Sequence, residues 1–365
     1  MTLIYQIKEE LELHLIDQFR ISPEKSKIKL YNLPEWIAFK KSIGSETYAP
    51  GCYTVRDNTS HILNSPDYIQ TLFHEHFGHG FHLEHSRTGR HLTNLEQEAH
   101  KAKTTANPRT PKALKRFRAT DPSTLLIAAE KTKYLTECEG FSIWMQYYLS
   151  NITRRQEEYI RTFRKSPEVM RNAANRCIEY QHSYGKHALL YSLGFPKHYN
   201  KEIMEDLLRK LYPSNNIKFA LLYGSRKPHS DIDMFIVSDN IPSTHNNWLD
   251  ISSVNTTLFE ELVSKLDISV TDPLFSGELI LGDEKYLEQT KKKITNTPIT
   301  PEQIAHHKQH AEKAKQLAMQ TTNPKEHQTA MRYNKSYTAN AEELSKGRKA
   351  LTLKKLISTY PNHFN

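Results

Sequence analysis

Only three cysteines occur in 365 residues. Cys52, Cys138 and Cys177 are too scattered to form a disulfide framework or a cysteine-based zinc ribbon. Long apolar runs are absent too: none approaches the roughly 20 residues that span a bilayer. The first stretch, MTLIYQIKEELELHLIDQF, lacks a basic leading segment, an unbroken apolar core and a small-residue cleavage site. A secretory leader is therefore not expected, and the expectation is a cytoplasmic protein with no membrane partner. No RNA-binding signature with interleaved aromatic residues is visible, and no internal repeat.

What is present suits a globular chain of two or three domains: 37% hydrophobic and 25% charged residues. The net charge is +9, with lysine and arginine concentrated in residues 101–118 and towards the end. A solvated basic surface is the first reading. A site for RNA or an acidic protein is the alternative.

Residues 1–20 read as a helix and 47–57 as a strand with Pro50-Gly51 as punctuation. Residues 86–123 are polar and contain Pro108, Pro111 and Pro122, which predicts a loop with a short helix at 111–118. Helices are expected at 124–150, 153–164 and 167–193, closed by Gly194-Phe195-Pro196. After Asn200 the pattern changes. A helix at 201–211 precedes strands at 217–223, 233–237 and 248–252 and a helix at 257–266, the alternation of an α/β unit. From Pro301 onward alanine, lysine, histidine and glutamate recur at helical spacing, which predicts two or three appended helices. The expected fold class is α+β and multidomain. A mainly helical domain spans 1–200, a small α/β domain with a mixed sheet 201–295, and a helical appendage 296–365.

Two motifs carry chemistry. His74-Glu75-His76-Phe77-Gly78-His79 lies in an apolar, helix-compatible run. Two imidazoles near one helical turn apart can hold one zinc ion, and the Glu beside the first can accept a proton from water. His74 and His79 are separated by five positions, about 140° on an ideal helix rather than the 40° of a four-residue spacing. Both reach one ion only if the helix bulges locally, and Gly78 and Gly80 make that cheap. A third ligand is expected from Glu137 or Glu139, two acids in an otherwise apolar helix where an unpaired carboxylate is costly. His76, His82 and His85 are expected to support the site or lie at the surface rather than ligate.

These residues resemble the gluzincin zinc metallopeptidases. His74-Glu75-x-x-Gly78-His79-Gly80 with Glu137-Cys138 is similar to the dipeptidyl peptidase III family. Phe73-His74-Glu75 with Glu139-Gly140-Phe141 and Trp144 is similar to the thimet oligopeptidase group with one residue inserted. The first resemblance implies Glu137 as third ligand, the second Glu139; Glu137 is slightly favoured. Either implies zinc, Glu75 as general base, a peptide or protein substrate, and Tyr184 as the candidate oxyanion stabiliser.

The second motif is the apolar run Phe219–Tyr223, then Gly224-Ser225, then Asp231-Ile232-Asp233, then Asp250 on a further strand. Small residues after a strand let backbone N–H groups approach phosphate. Two acids at i and i+2 on an extended segment face one cation cluster, with Asp250 as the third carboxylate. The order resembles the minimal nucleotidyltransferases of the DNA polymerase β type, over residues 201–290. That implies magnesium held by Asp231, Asp233 and Asp250, an NTP (ATP first) at Gly224 and Ser225, and an RNA, protein or small-molecule acceptor. Only five residues separate Ser225 from Asp231, a shorter connection than most members have, and Arg226 or Lys227 is the candidate compensating phosphate contact. His306, His307 and His310 are read first as an exposed helix face, with a weak metal-like cluster as the alternative. The combined expectation is a bifunctional enzyme, by analogy a toxin or anti-phage effector. Two alternatives stay open: a transferase whose other half only binds peptide, and a non-catalytic nucleic-acid-binding module.

Overall fold

The computed structural model describes residues 3–45, 49–55, 57–105, 122–213 and 216–364. The chain divides into two compact units, Met1–His198 and Tyr199–Asn365.

In the first unit, α1 (Leu3–Phe19) buries Ile4, Leu11, Leu15 and Phe19, one stripe at helical spacing. β1 (Lys27–Tyr31) leads to α2 (Leu33–Ser42), whose start is set by an Asn32/Glu35 capping box and Pro34. β2 (Gly51–Thr54) and β3 (Thr59–Leu63) complete a mixed sheet in the order β1-β3-β2, parallel for β1/β3 and antiparallel for β2/β3. β1 reads KIKLY, and its lysines mask it as a strand in the sequence.

The helical run that follows changes pitch. α3 (Tyr68–Leu72) passes into a π-helical segment, Phe73–Gly80, and returns to α geometry in α4 (Phe81–His85). α5 (Arg87–Thr105) occupies residues expected to be loop. Its polarity marks exposure, while its Leu, Glu, Gln, Ala and Lys content favours helix. Leu92 anchors it against Leu83 and Cys138. The short helix expected at 111–118 and most of the basic run lie outside the described residues. α6 (Pro122–Ile152) is long, and its Phe141, Ile143, Trp144, Met145 and Leu149 are buried. α7 (Gln156–Lys165), α8 (Glu168–Tyr184) and α9 (Lys186–Ser192) close the unit. The single helix expected over 167–193 is therefore two, because Gly185 adopts φ of +91° and ends α8.

The second unit begins with α10 (Lys201–Leu211). β4 (Phe219–Tyr223), β5 (Ile232–Val237), β6 (Thr244–His245), β7 (Leu249–Val254) and β8 (Glu278–Gly282) form a mixed sheet ordered β6-β7-β5-β4-β8. Only β5/β7 is parallel. Phe219, Leu221, Phe235 and Val237 share one face and pack on α11 (Thr256–Ser264), α12 (Ile268–Ser276) and α13 (Glu284–Asn296) through Phe259, Val270, Leu274 and Leu287.

α14 (Pro301–Gln320) and α15 (Pro324–Ser345) follow, then α16 (Leu353–Thr359) and α17 (Pro361–Phe364). Ile268 of α12 clusters with Ala311, Tyr337, Ala339, Ala350 and Leu356, so these helices share a core with the sheet domain. The expected exposed histidine face is corrected here. His307 is fully buried, and its Nε2 lies 3.1 Å from the Leu266 carbonyl oxygen. Among the described residues, no helix is long and apolar enough to cross a membrane.

Candidate functional sites

In the first unit, the π-turn brings the rings of His74 and His79 to 4.8 Å between centroids, nearly perpendicular. One surplus residue per turn is what the five-position spacing demands. Gly78 lets this segment lie on α6: a Cβ there would sit 2.7 Å from the Ser142 Cα.

α6 presents Glu139, Ser142 and Gln146 at i, i+3 and i+7, a polar stripe on a buried helix. Glu139 takes the place facing both imidazoles. Its oxygens lie 3.3 Å from His74 Nε2 and 3.5 Å from His79 Nε2. Glu137, favoured from the sequence, turns to His82 Nε2 at 3.3 Å. A single ligand atom from each of His74, His79 and Glu139 lies within 4.8 Å of the others.

The tautomers follow from the neighbours. The Gln146 amide nitrogen donates to the Gln70 carbonyl at 2.9 Å, which turns its Oε1 to His74 Nδ1 at 3.1 Å. The Ser142 hydroxyl donates to the Cys138 carbonyl at 2.9 Å, so it can only accept from His79 Nδ1, 3.1 Å away. Both Nδ1 atoms are thereby pinned as donors and both Nε2 lone pairs face Glu139. Lone pairs converging on a carboxylate require positive charge between them, from protons or from a divalent cation. The titration directions agree. Burial opposes charge on His74, but Glu139 and Glu75 outweigh it and raise His74 to about 9. Burial alone would raise Glu139, yet the charges and hydrogen bonds of His79 and His74 hold it far below the carboxylate range.

Glu75 is buried, and that burial raises its carboxyl above the usual range against the opposing charges of His74 and His79. Tyr184 is not brought into the cluster. It is 39% exposed, and its ring lies tilted against that of Tyr180. The other histidines tie elements together. His76 meets Ser26 and Glu12, His82 meets Ser86 and Glu137, and His85 meets the Ser22 carbonyl. Ser142 and Gln146 were missed in the sequence reading; polar residues at helical spacing in an apolar helix were the available signal. Ser142→Ala is expected to weaken zinc binding roughly 10-fold by releasing the His79 tautomer, read by competition with a chromogenic chelator.

In the second unit, the apolar face of the sheet ends in a polar row. Tyr223 pairs with Asp233, Asp233 with Asp250, and Asp250 with His245 in successive registers. Asp231 stands two residues before Asp233 on the extended segment, and its charge acts on Asp233. Burial, then Asp231 and Asp250, push Asp233 up to about 6. Three carboxylates this close repel one another, and a divalent cation relieves that repulsion.

Gly224 has φ of +73°, and a Cβ there would overlap the Asp233 carboxylate. Only glycine lets the strand end turn so tightly against the acid. Gly224→Ala is expected to destabilise the unit by about 1–3 kcal/mol, measured by urea unfolding. The loop beyond is braced: the Ser230 hydroxyl donates to the Ser225 carbonyl at 2.6 Å, and the Tyr199 hydroxyl to Lys227 at 3.1 Å. Ser225 offers its backbone N–H to Asp233. Arg226 is engaged elsewhere, on Glu278 at 2.7 Å and the Leu222 carbonyl at 3.3 Å. Instead Arg332, on α15, lies close enough to Asp233 for its charge to lower that group's pKa. No local motif in the sequence marks Arg332. His245 holds Asp250 at 2.6 Å.

No family model matches this chain, and no curated protein does. Among solved structures, a nucleotidyltransferase-like protein from Exiguobacterium sibiricum is similar at 15% identity and a TM-score of 0.26. The match covers 44% of this chain and 64% of that one.

Proposed function

We propose that the second unit is a magnesium-dependent nucleotidyltransferase that moves an NMP group from an NTP, ATP first, to a hydroxyl of a protein, RNA or small molecule. The observation that carries this reading is the apposition of Asp233 and Asp250 on paired strands, with Gly224 pressed against Asp233. The donor set fits magnesium, which when bound supplies charge to the reacting phosphate and its leaving group. Asp231, Asp233 and Asp250 would hold it. The Gly224-Ser225 backbone would approach the phosphates, and Arg332 would add a positive charge facing them. Incubation with labelled NTPs, magnesium and cell extract tests this, beside an Asp231→Ala/Asp233→Ala variant. Label on a protein or RNA band that the variant lacks supports the transferase. No label from any nucleotide removes the reading.

The pinned tautomers of His74 and His79 favour a second reading, a zinc peptidase-type site in the first unit. His74, His79 and Glu139 offer a donor set that zinc accepts. Zinc there would supply Lewis acidity and a more acidic water. Glu75, with its raised pKa, would take a proton from that water and deliver it to the leaving amine. Cleavage of a peptide library lost in Glu75→Gln is the expected result. A zinc-loaded chain that binds library peptides but cuts none would establish the peptide-binding alternative.

A further inference from the structure

The cap of α12 stands beside two histidines of α14. Asp267 is fully buried. Its Oδ1 accepts from the Ser269 amide at 2.9 Å, the Ser269 hydroxyl at 2.7 Å and the Tyr337 hydroxyl at 3.0 Å. Those donors satisfy what capping requires. Oδ2 remains, and it meets His306 Nε2 at 2.6 Å. His310 lies one helical turn beyond His306, its ring 4.3 Å from the His306 ring and 5.1 Å from Tyr337. Among the described residues, the His310 nitrogens have no hydrogen-bond partner. His307, the intervening histidine, is committed to the Leu266 carbonyl and to Asn340. Ligand atoms of Asp267, His306 and His310 all lie within 4.8 Å of one another.

A cap alone accounts for Asp267 and leaves His310 without a role. Two imidazoles four positions apart on a regular helix, facing a buried carboxylate on another helix, form a zinc-type donor set with room for a solvent ligand. We propose that Asp267, His306 and His310 form a second transition-metal site that clips α14 to α12. The proton on His306 Nε2, which donates to Asp267, leaves to solvent as the ion takes its place. The ion would brace the α14–α15 pair against the sheet domain, and with it the helix that carries Arg332. The site is independent of either proposed activity.

The test uses the full chain, stripped with chelator, in a His79→Ala/Glu139→Gln background that disables the first cluster. Excess magnesium occupies the aspartates. Zinc is then titrated, with metal content and melting temperature as readouts. The background chain should bind about one equivalent of zinc and melt several degrees higher with it. Adding His310→Ala should abolish both the uptake and the zinc-dependent rise, the rise being read against that variant's own metal-free melting temperature because His310 also packs on His306 and Tyr337. Cobalt should give a tetrahedral visible spectrum in the background chain and none with His310→Ala. Equal zinc uptake with and without His310, or no uptake by the background chain, would overturn the proposal.

Discussion

Asp233→Asn is expected to cut nucleotidyl transfer roughly 10³-fold or more and, at the same time, to stabilise the metal-free second unit. The two effects share one cause. Asp233 is raised to about 6, so the folded protein holds that proton more tightly than the unfolded chain does. Stability from this group is greatest at low pH and falls as pH rises from about 4 to about 6. Above pH 7 the folded state carries the full cost of an ionised carboxylate beside Asp231 and Asp250. Solvent access screens part of it, leaving roughly 1 kcal/mol. Asparagine removes that cost. The variant should melt roughly 2–4 °C above wild type at pH 7. The gap should close below pH 4, and millimolar magnesium should close it at pH 7. Paired calorimetric scans across pH, with and without magnesium, check all three. A gap that persists at pH 3.5 would show that Asp233 is not its source.

Glu139→Gln is expected to weaken zinc binding at least about 100-fold, while Glu137→Gln leaves it within a factor of about two. The amide keeps the shape of the side chain but removes the charge that faces His74 and His79. At zinc levels near 100 times the wild-type dissociation constant, a 100-fold weakening would cost the first unit about 2.3 kcal/mol of metal-linked stability. Chelator competition and zinc-dependent melting of both variants measure the two quantities together. Equal losses would mean that both acids contact the ion and that the separation of Glu137 from the cluster is wrong.

The contrast between those two acids shows where sequence reading stops. The five-position spacing of His74 and His79 implied a bulged helix, and the segment is π-helical. Glu137 and Glu139 lie about 200° apart on a helix, so the phase of α6 decides between them. Phe141, Ile143, Trp144 and Met145 are all buried, so apolar periodicity does not give that phase, and only the spacing of Glu139, Ser142 and Gln146 points to Glu139. In the second unit, the strands and the Asp233–Asp250 apposition follow from short-range pattern. The diversion of Arg226 to Glu278, and the approach of Arg332 to Asp233, depend on residues far along the chain. Likewise the composition of α14 reads as surface, because the partner of His306 sits on a different helix.

The π-turn at Phe73–Gly80 also acts as a register offset for everything downstream. Deleting one residue between Glu75 and His79 would let the run relax into an uninterrupted α-helix and restore the commoner spacing. It would also rotate α4 by about 100° relative to α3. His82 and His85 would then swing away from Glu137 and the Ser22 carbonyl, and Phe81 would leave the aromatic stack it shares with Phe141 and Phe195. The extra residue is thus woven into the packing of the whole unit, and shortening the motif there would unseat the core before it improved the ligand spacing.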